Sequence, residues 1–205
     1  MRTSHGMQHL EWAGQFGNDY AKRSPGDVQA NEVFFARILA AMNADPISAI
    51  EFGCGVGNNL RALRTLLPDT ALRGVEINES AATLARQVTP LITIGSMLVH
   101  EAIISWELAF TKGVLIHIPP VDLRRAYEVL YQASRKYIMV AEYYAPKPTE
   151  IEYRGRRDML WKRDFAGEML DTYPDLRLVD YGFVYHRDPY PQDDLNWFLL
   201  SKGER

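Results

Sequence analysis

The sequence predicts an α/β protein: a doubly wound, mostly parallel sheet of seven strands with helices on both faces. Three observations predict it. Short apolar runs alternate with segments of helical spacing, the pattern of βαβ units and a parallel sheet. The run at 47–52 passes through a glycine-punctuated turn, Gly53, Gly55 and Gly57, into a helix. The runs at 47–52 and 72–77 each carry an acid near their carboxyl end, Glu51 and Glu76. In open parallel sheets, ligands lie beyond the carboxyl ends of the strands. Those two ends therefore mark the expected site.

The bulk numbers fit this class. A chain of 205 residues suits one domain with a sizeable core. It is 47% apolar and 24% charged, the balance of an ordinary globular protein. A net charge of −3 argues against broad non-specific nucleic-acid binding, while leaving room for a local basic patch. The single cysteine, Cys54, has no internal disulfide partner, which points to a reducing compartment. There is no apolar run of membrane-spanning length and no leader pattern, so the expectation is a cytoplasmic protein.

Taken in order, 1–10 reads as a polar, frayed start holding His5 and His9. Residues 11–23 are aromatic and glycine-bearing, either a docking segment that buries Trp12 and Phe16 or a lid over a site. Residues 27–42 have helical apolar spacing. The strand at 47–52 comes next, and Asn58 and Asn59 are good helix starters. Leu60, Leu63, Leu66 and Leu67 stripe the following helix, which Pro68 breaks. A strand at 72–77 follows, and Asn78 caps a helix over 79–87. The third strand is 91–94 and ends in the turn Gly95-Ser96-Met97.

A fourth strand, 106–112, puts Thr111 to His117 at the carboxyl edge. His117 titrates near neutrality and is read either as a site residue or as a histidine satisfied by local backbone. A helix over 121–134 leads to the fifth strand, 136–142, whose end brings Glu142 and Tyr143 within reach of the site. Glu142 has an alternative reading as a buried structural acid. The polar insertion 147–163 carries Arg154, Arg157, Lys162 and Arg163. It reads as a solvated face or as a binding surface for phosphate or carboxylate. A short helix over 164–171 and strands at 176–185 and 195–201 complete the chain. No Cys/His pair has metal-ligand spacing, so no metal is expected.

The glycine loop with its two acids resembles motif I of the class I S-adenosylmethionine-dependent methyltransferases. The glycines are spaced G-x-G-x-G, and Asn58 stands where a dinucleotide fingerprint needs its third glycine. That spacing disfavours a nicotinamide reductase. The resemblance implies an antiparallel last strand and S-adenosylmethionine as cofactor. It places Glu51 near the methionine part and Glu76 on the ribose hydroxyls, with Gly53, Cys54, Gly55, Asn58, Asn59 and Ile77 around them. Ser96 and Met97 fall at the adenine, where Ser96 replaces the Asp often found. Thr111, Lys112 and Gly113 line the strand-four edge. Tyr20 and Arg23 match a lid pattern that reaches the methionine end.

Residues 11–23, the run FTKGVLIHIP at 110–119, KRDF at 162–165 and NWFLL at 196–200 are similar to the pseudaminic acid biosynthesis-associated methylases. The expected parts are a lid and helix (1–45), a cofactor-binding core (46–145), and a substrate-side insertion with the last strands (146–205). The implied reaction is methyl transfer to N or O of a small, anionic, sugar-derived or nucleotide-linked acceptor. His117, Glu142 and Tyr143 are the candidate catalytic groups. Tyr144, Arg154, Arg157, Lys162 and Arg163 are the candidate acceptor contacts. The alternatives are an RNA-modifying methyltransferase and a non-catalytic cofactor-binding partner protein. The expected state is a monomer or homodimer.

Overall fold

The computed structural model describes residues 5–23 and 26–203. Its main sheet has seven strands: β1 (Ser48–Phe52), β2 (Ala71–Glu76), β3 (Ile92–Ile94), β4 (Trp106–Lys112), β5 (Ser134–Glu142), β8 (Leu176–Val184) and β9 (Leu195–Lys202). The spatial order is β3-β2-β1-β4-β5-β9-β8. The neighbours among β1 to β5 pair in parallel, as Glu51 opposite Gly74 and Phe110 shows, and β9 runs antiparallel to both β5 and β8. The strand order reverses beside β1. A parallel α/β sheet opens a ligand crevice at such a switch point.

The parallel part of the sheet buries both faces, while the antiparallel edge strand β8 is largely exposed. Along β5, Tyr137, Met139 and Ala141 enter one core layer, and Ile138 and Val140 enter the other. The first layer receives Phe34, Phe35 and Ile38 of α3 (Val28–Ala40) and Leu60 and Leu63 of α4 (Asn58–Leu66). The second receives Leu123, Val129 and Leu130 of α6 (Leu123–Ala133) and Phe165 and Met169 of α7 (Phe165–Thr172).

Helix starts follow local side chains. Asp27, Asn78 and Asp164 each accept a hydrogen bond from the amide three residues on, at Ala30, Ala81 and Gly167. The Asn78 cap opens α5 (Glu79–Ala85). Among the described residues, no helix is long and apolar enough to cross a membrane.

One sequence expectation is corrected. The start of the chain is not frayed from residue 5 onward: α1 (His5–Ala13) and α2 (Gln15–Arg23) are helices. Residues 1–4 lie outside the described residues. The polar insertion is an antiparallel hairpin, β6 (Thr149–Tyr153) and β7 (Arg156–Lys162). Its second strand does not alternate: Met159, Leu160 and Trp161 are buried in succession, with Met159 O meeting Gln8 of α1 and Leu160 entering the second core layer.

Candidate functional site

The glycine loop folds back over the end of β2. The amide of Gly53 donates to Val75 O at 2.7 Å, and Gly57 donates to Cys54 O at 2.9 Å. Gly53 sits at φ +73°, and a Cβ there would come 2.5 Å from Val114 Cγ2. Only glycine takes that conformation in so tight a place. The loop thus brings Gly55 N to Glu76 Oε2 at 2.7 Å, while Glu76 Oε1 accepts from Asn78 N at 2.8 Å. Burial raises the Glu76 pKa, and the backbone donors pull against that rise.

These elements border a cleft of about 440 Å³. Gly53, Cys54, Gly55, Asn58 and Asn59 form one wall, and Glu76, Ile77, Ser96 and Met97 form the next. Lys112, Gly113 and His117 come from the end of β4 and the turn after it, and Gln8, Trp12 and Tyr20 come from α1 and α2. Gly55, Gly95 and Gly113 have open space where a Cβ would stand, so the backbone can approach a ligand closely there.

The roof is fastened. Asn78 uses its oxygen as the helix cap and its Nδ2 to donate to Trp12 O (3.2 Å) and Asn18 Oδ1 (2.9 Å). A Cβ on Gly17 would run into the Trp12 carbonyl. Arg156 of β7 bridges to Glu11 of α1 at 3.0 Å.

Lys112 is partly buried in the cleft wall, with Nζ 3.3 Å from Asn31 Oδ1. Burial lowers its pKa, opposed by the charges of Glu51, Asp193 and Glu142. The His117 ring lies 4.7 Å from Trp12 and 5.3 Å from Tyr153. Its Nδ1 is 2.7 Å from Met159 O, so that nitrogen carries the proton. Burial pushes its pKa down to about 4.

Several expected site residues do not line this cleft. Glu51 lies beneath the loop, fully buried, and its Oε1 accepts from Asn59 Nδ2 at 2.6 Å. Desolvation pushes its pKa up to about 8. Thr111 is fully buried one residue before the cleft-facing Lys112, as strand alternation requires.

Glu142 is the main correction. Its carboxylate accepts from the amides of Val114, Leu115 and Ile116 at 3.0, 3.0 and 3.3 Å, and so pins the turn after β4 from inside the fold. Tyr143 is half-buried against Asp193, with Lys162 Nζ 5.3 Å over its ring. Tyr144 packs on Phe198 at 6.1 Å.

Arg23 is exposed at the end of α2. Arg154 occupies the hairpin turn over Tyr153 at 5.4 Å, and Arg157 is exposed. Arg163 Nε donates to Glu168 Oε1 at 2.8 Å, so its charge serves α7. Cys54 is buried, and its thiol pKa is pushed up by burial and by nearby Glu51 and Glu76, which makes it a poor nucleophile.

Sequence reasoning missed Gln8, Asn31, Gln192 and Asp193 as cleft residues. Asn31 alone left a signal, as a polar residue four before Phe35 on the helix's apolar face; it receives Lys112 and Gln192. His9, expected in a polar, frayed start, lines the cleft with Nε2 3.5 Å from Ser96 Oγ.

Neither protein-family models nor curated protein sequences match this chain. Solved structures do. A magnesium protoporphyrin IX methyltransferase from Synechocystis PCC 6803, with bound S-adenosylhomocysteine, is 15% identical with a TM-score of 0.72. That match covers 97% of this chain and 99% of the other. A 1,6-didemethyltoxoflavin-N1-methyltransferase from Burkholderia thailandensis is 13% identical with a TM-score of 0.75, covering 100% of this chain and 92% of the other. A S-adenosylmethionine-dependent methyltransferase from Clostridium acetobutylicum is 11% identical with a TM-score of 0.66, covering 92% and 98%. What this chain shares with them is the fold, a Rossmann-like α/β sheet of the class I methyltransferase kind.

Proposed function

We propose that this chain is a S-adenosylmethionine-dependent methyltransferase acting on a small molecule, in one domain. The observation that carries the reading is the Glu76 carboxylate. It stands at the carboxyl end of β2, on the wall of a cleft that the glycine loop and the β4 end also border. The residues present fit the cofactor. Glu76 has acceptor capacity left for a ribose diol, and Gly55, Gly95 and Gly113 leave room for close backbone approach. Ile77, Ser96 and Met97 would hold the adenine. Lys112 and Gly113, with Asn31 beside them, would hold the methionine end. When bound, the cofactor supplies an activated sulfonium methyl.

The protein's own contribution is positional. Holding the acceptor close and aligned supplies most of what such a displacement needs. Trp12, Tyr20 and the rest of the roof exclude water. His117, neutral at physiological pH, can accept a hydrogen bond from the incoming nucleophile. Tyr143 is the second candidate: it lies outside the cleft lining but hydrogen-bonds Asp193, which is part of it.

For the acceptor, a sugar-derived or nucleotide-linked anion rests on the pseudaminic acid methylase resemblance and on Arg154 and Arg157 of the hairpin. Against it, Lys112 is the only lysine or arginine lining the cleft among the described residues. Calorimetric titration with S-adenosylmethionine, and separately with NADH, tests the reading. Binding of the first alone is expected. Its failure to bind overturns the reading.

A further inference from the structure

One carbonyl orients two cleft side chains. Met159 O, on β7, accepts from His117 Nδ1 at 2.7 Å and from Gln8 Nε2 at 3.4 Å. A carbonyl oxygen can only accept. His117 therefore keeps its lone pair on Nε2, and Gln8 keeps its Oε1 for another partner. Gln8 is 5% exposed, and its Oε1 is buried without a hydrogen-bond partner among the described residues. Trp12 Nε1, beside the His117 ring, is likewise buried and unpartnered. All three side chains line the cleft. Buried polar atoms left without a partner cost about 1–3 kcal/mol each. Native proteins keep them where something else completes the bond.

We propose that Gln8 Oε1, His117 Nε2 and Trp12 Nε1 form a recognition subsite for an uncharged, planar group that presents N–H or O–H donors beside one acceptor atom. The chemical class is an amide, a lactam or an N–H heterocycle. Two lone-pair atoms repel an anion, and the buried imidazole carries no charge to attract one. The Trp12 ring, 4.7 Å from His117 and part of the cleft wall, supplies flat apolar contact. The subsite deepens the methyl-transfer reading and rests on it: it selects the acceptor, while Glu76 serves the cofactor.

The test uses the full chain, with and without S-adenosylhomocysteine. The probes are 2-pyridone and benzamide against benzoate and phenyl phosphate, with binding read by calorimetry. The His117 ring nitrogens are followed by ¹⁵N NMR in the unmodified protein. The neutral probes should bind and move the Nε2 resonance. Gln8→Leu and His117→Phe should each weaken them by at least about tenfold, with S-adenosylhomocysteine affinity held within about threefold.

Benzoate or phenyl phosphate binding as tightly as the neutral pair overturns the subsite. So does an undisturbed Nε2 resonance, or no neutral binding up to about 10 mM. Failure of S-adenosylhomocysteine to bind overturns the methyl-transfer reading instead. The probe comparison without it still decides the subsite.

Discussion

Glu76 and Gly55 are joined by a 2.7 Å hydrogen bond between the end of β2 and the middle of the glycine loop. The same carboxylate shapes the loop and faces the cleft. Glu76→Ala should therefore lower S-adenosylmethionine affinity by at least about tenfold, roughly 1.4 kcal/mol. Glu76→Gln keeps one acceptor oxygen and should lose less. Calorimetry decides, and unchanged affinity in the alanine variant would remove the ribose role.

Two loop glycines should separate stability from binding. Gly53→Ala forces a Cβ against Val114 in a left-handed conformation and should cost about 1–2 kcal/mol from the backbone alone. Gly55→Ala carries similar backbone strain at φ +53°, but its Cβ meets open space on the cleft wall. It should lose cofactor affinity beyond its loss of stability. Denaturant melts paired with calorimetry check both.

Glu142 should behave as a structural acid. Glu142→Ala leaves two buried amides and one part-buried amide without their acceptor, a loss on the order of 3 kcal/mol. Thermal melts should show it before any turnover assay does. A variant with unchanged melting but no turnover would restore Glu142 as a catalytic candidate.

The buried acids also set a pH slope. Burial pushes Glu142 up to about 7 and Glu51 up to about 8, from 4.5. Between those values the folded chain binds more protons than the unfolded one. Their contribution to stability is full below about pH 4.5 and is lost as pH rises toward 7–8. Glu51→Gln should flatten part of that fall, read by melts across the range.

His117 slopes the other way. Its folded pKa is depressed to about 4, so its contribution is present above the usual 6.5 and is lost as pH falls through 4. NMR titration should find a midpoint near 4. A midpoint near 6.5 would mean that the ring is solvated.

Much of this molecule is local and was legible as such. The cap at Asn78, the striped helix after Asn58 and the strand at 106–112 rest on neighbours in the chain. So does the placement of Glu76 at a strand end. Glu142 shows the limit. A strand-end acid looks the same whether it faces a ligand or turns inward to three amides, because the choice depends on the turn at 114–116 packing beneath it.

The sequence by itself determined the sheet, its parallel core and the loop at its switch point, because periodicity and glycine placement act over a few residues. Only the tertiary structure decided which distant residues complete the cleft around that loop. Gln8 meets Met159 across 151 positions, Lys112 meets Asn31 across 81, and Arg163 turns away to Glu168. Such pairings follow from how helices and a hairpin settle on a finished sheet. No local pattern encodes which polar atom is then left facing the space between them.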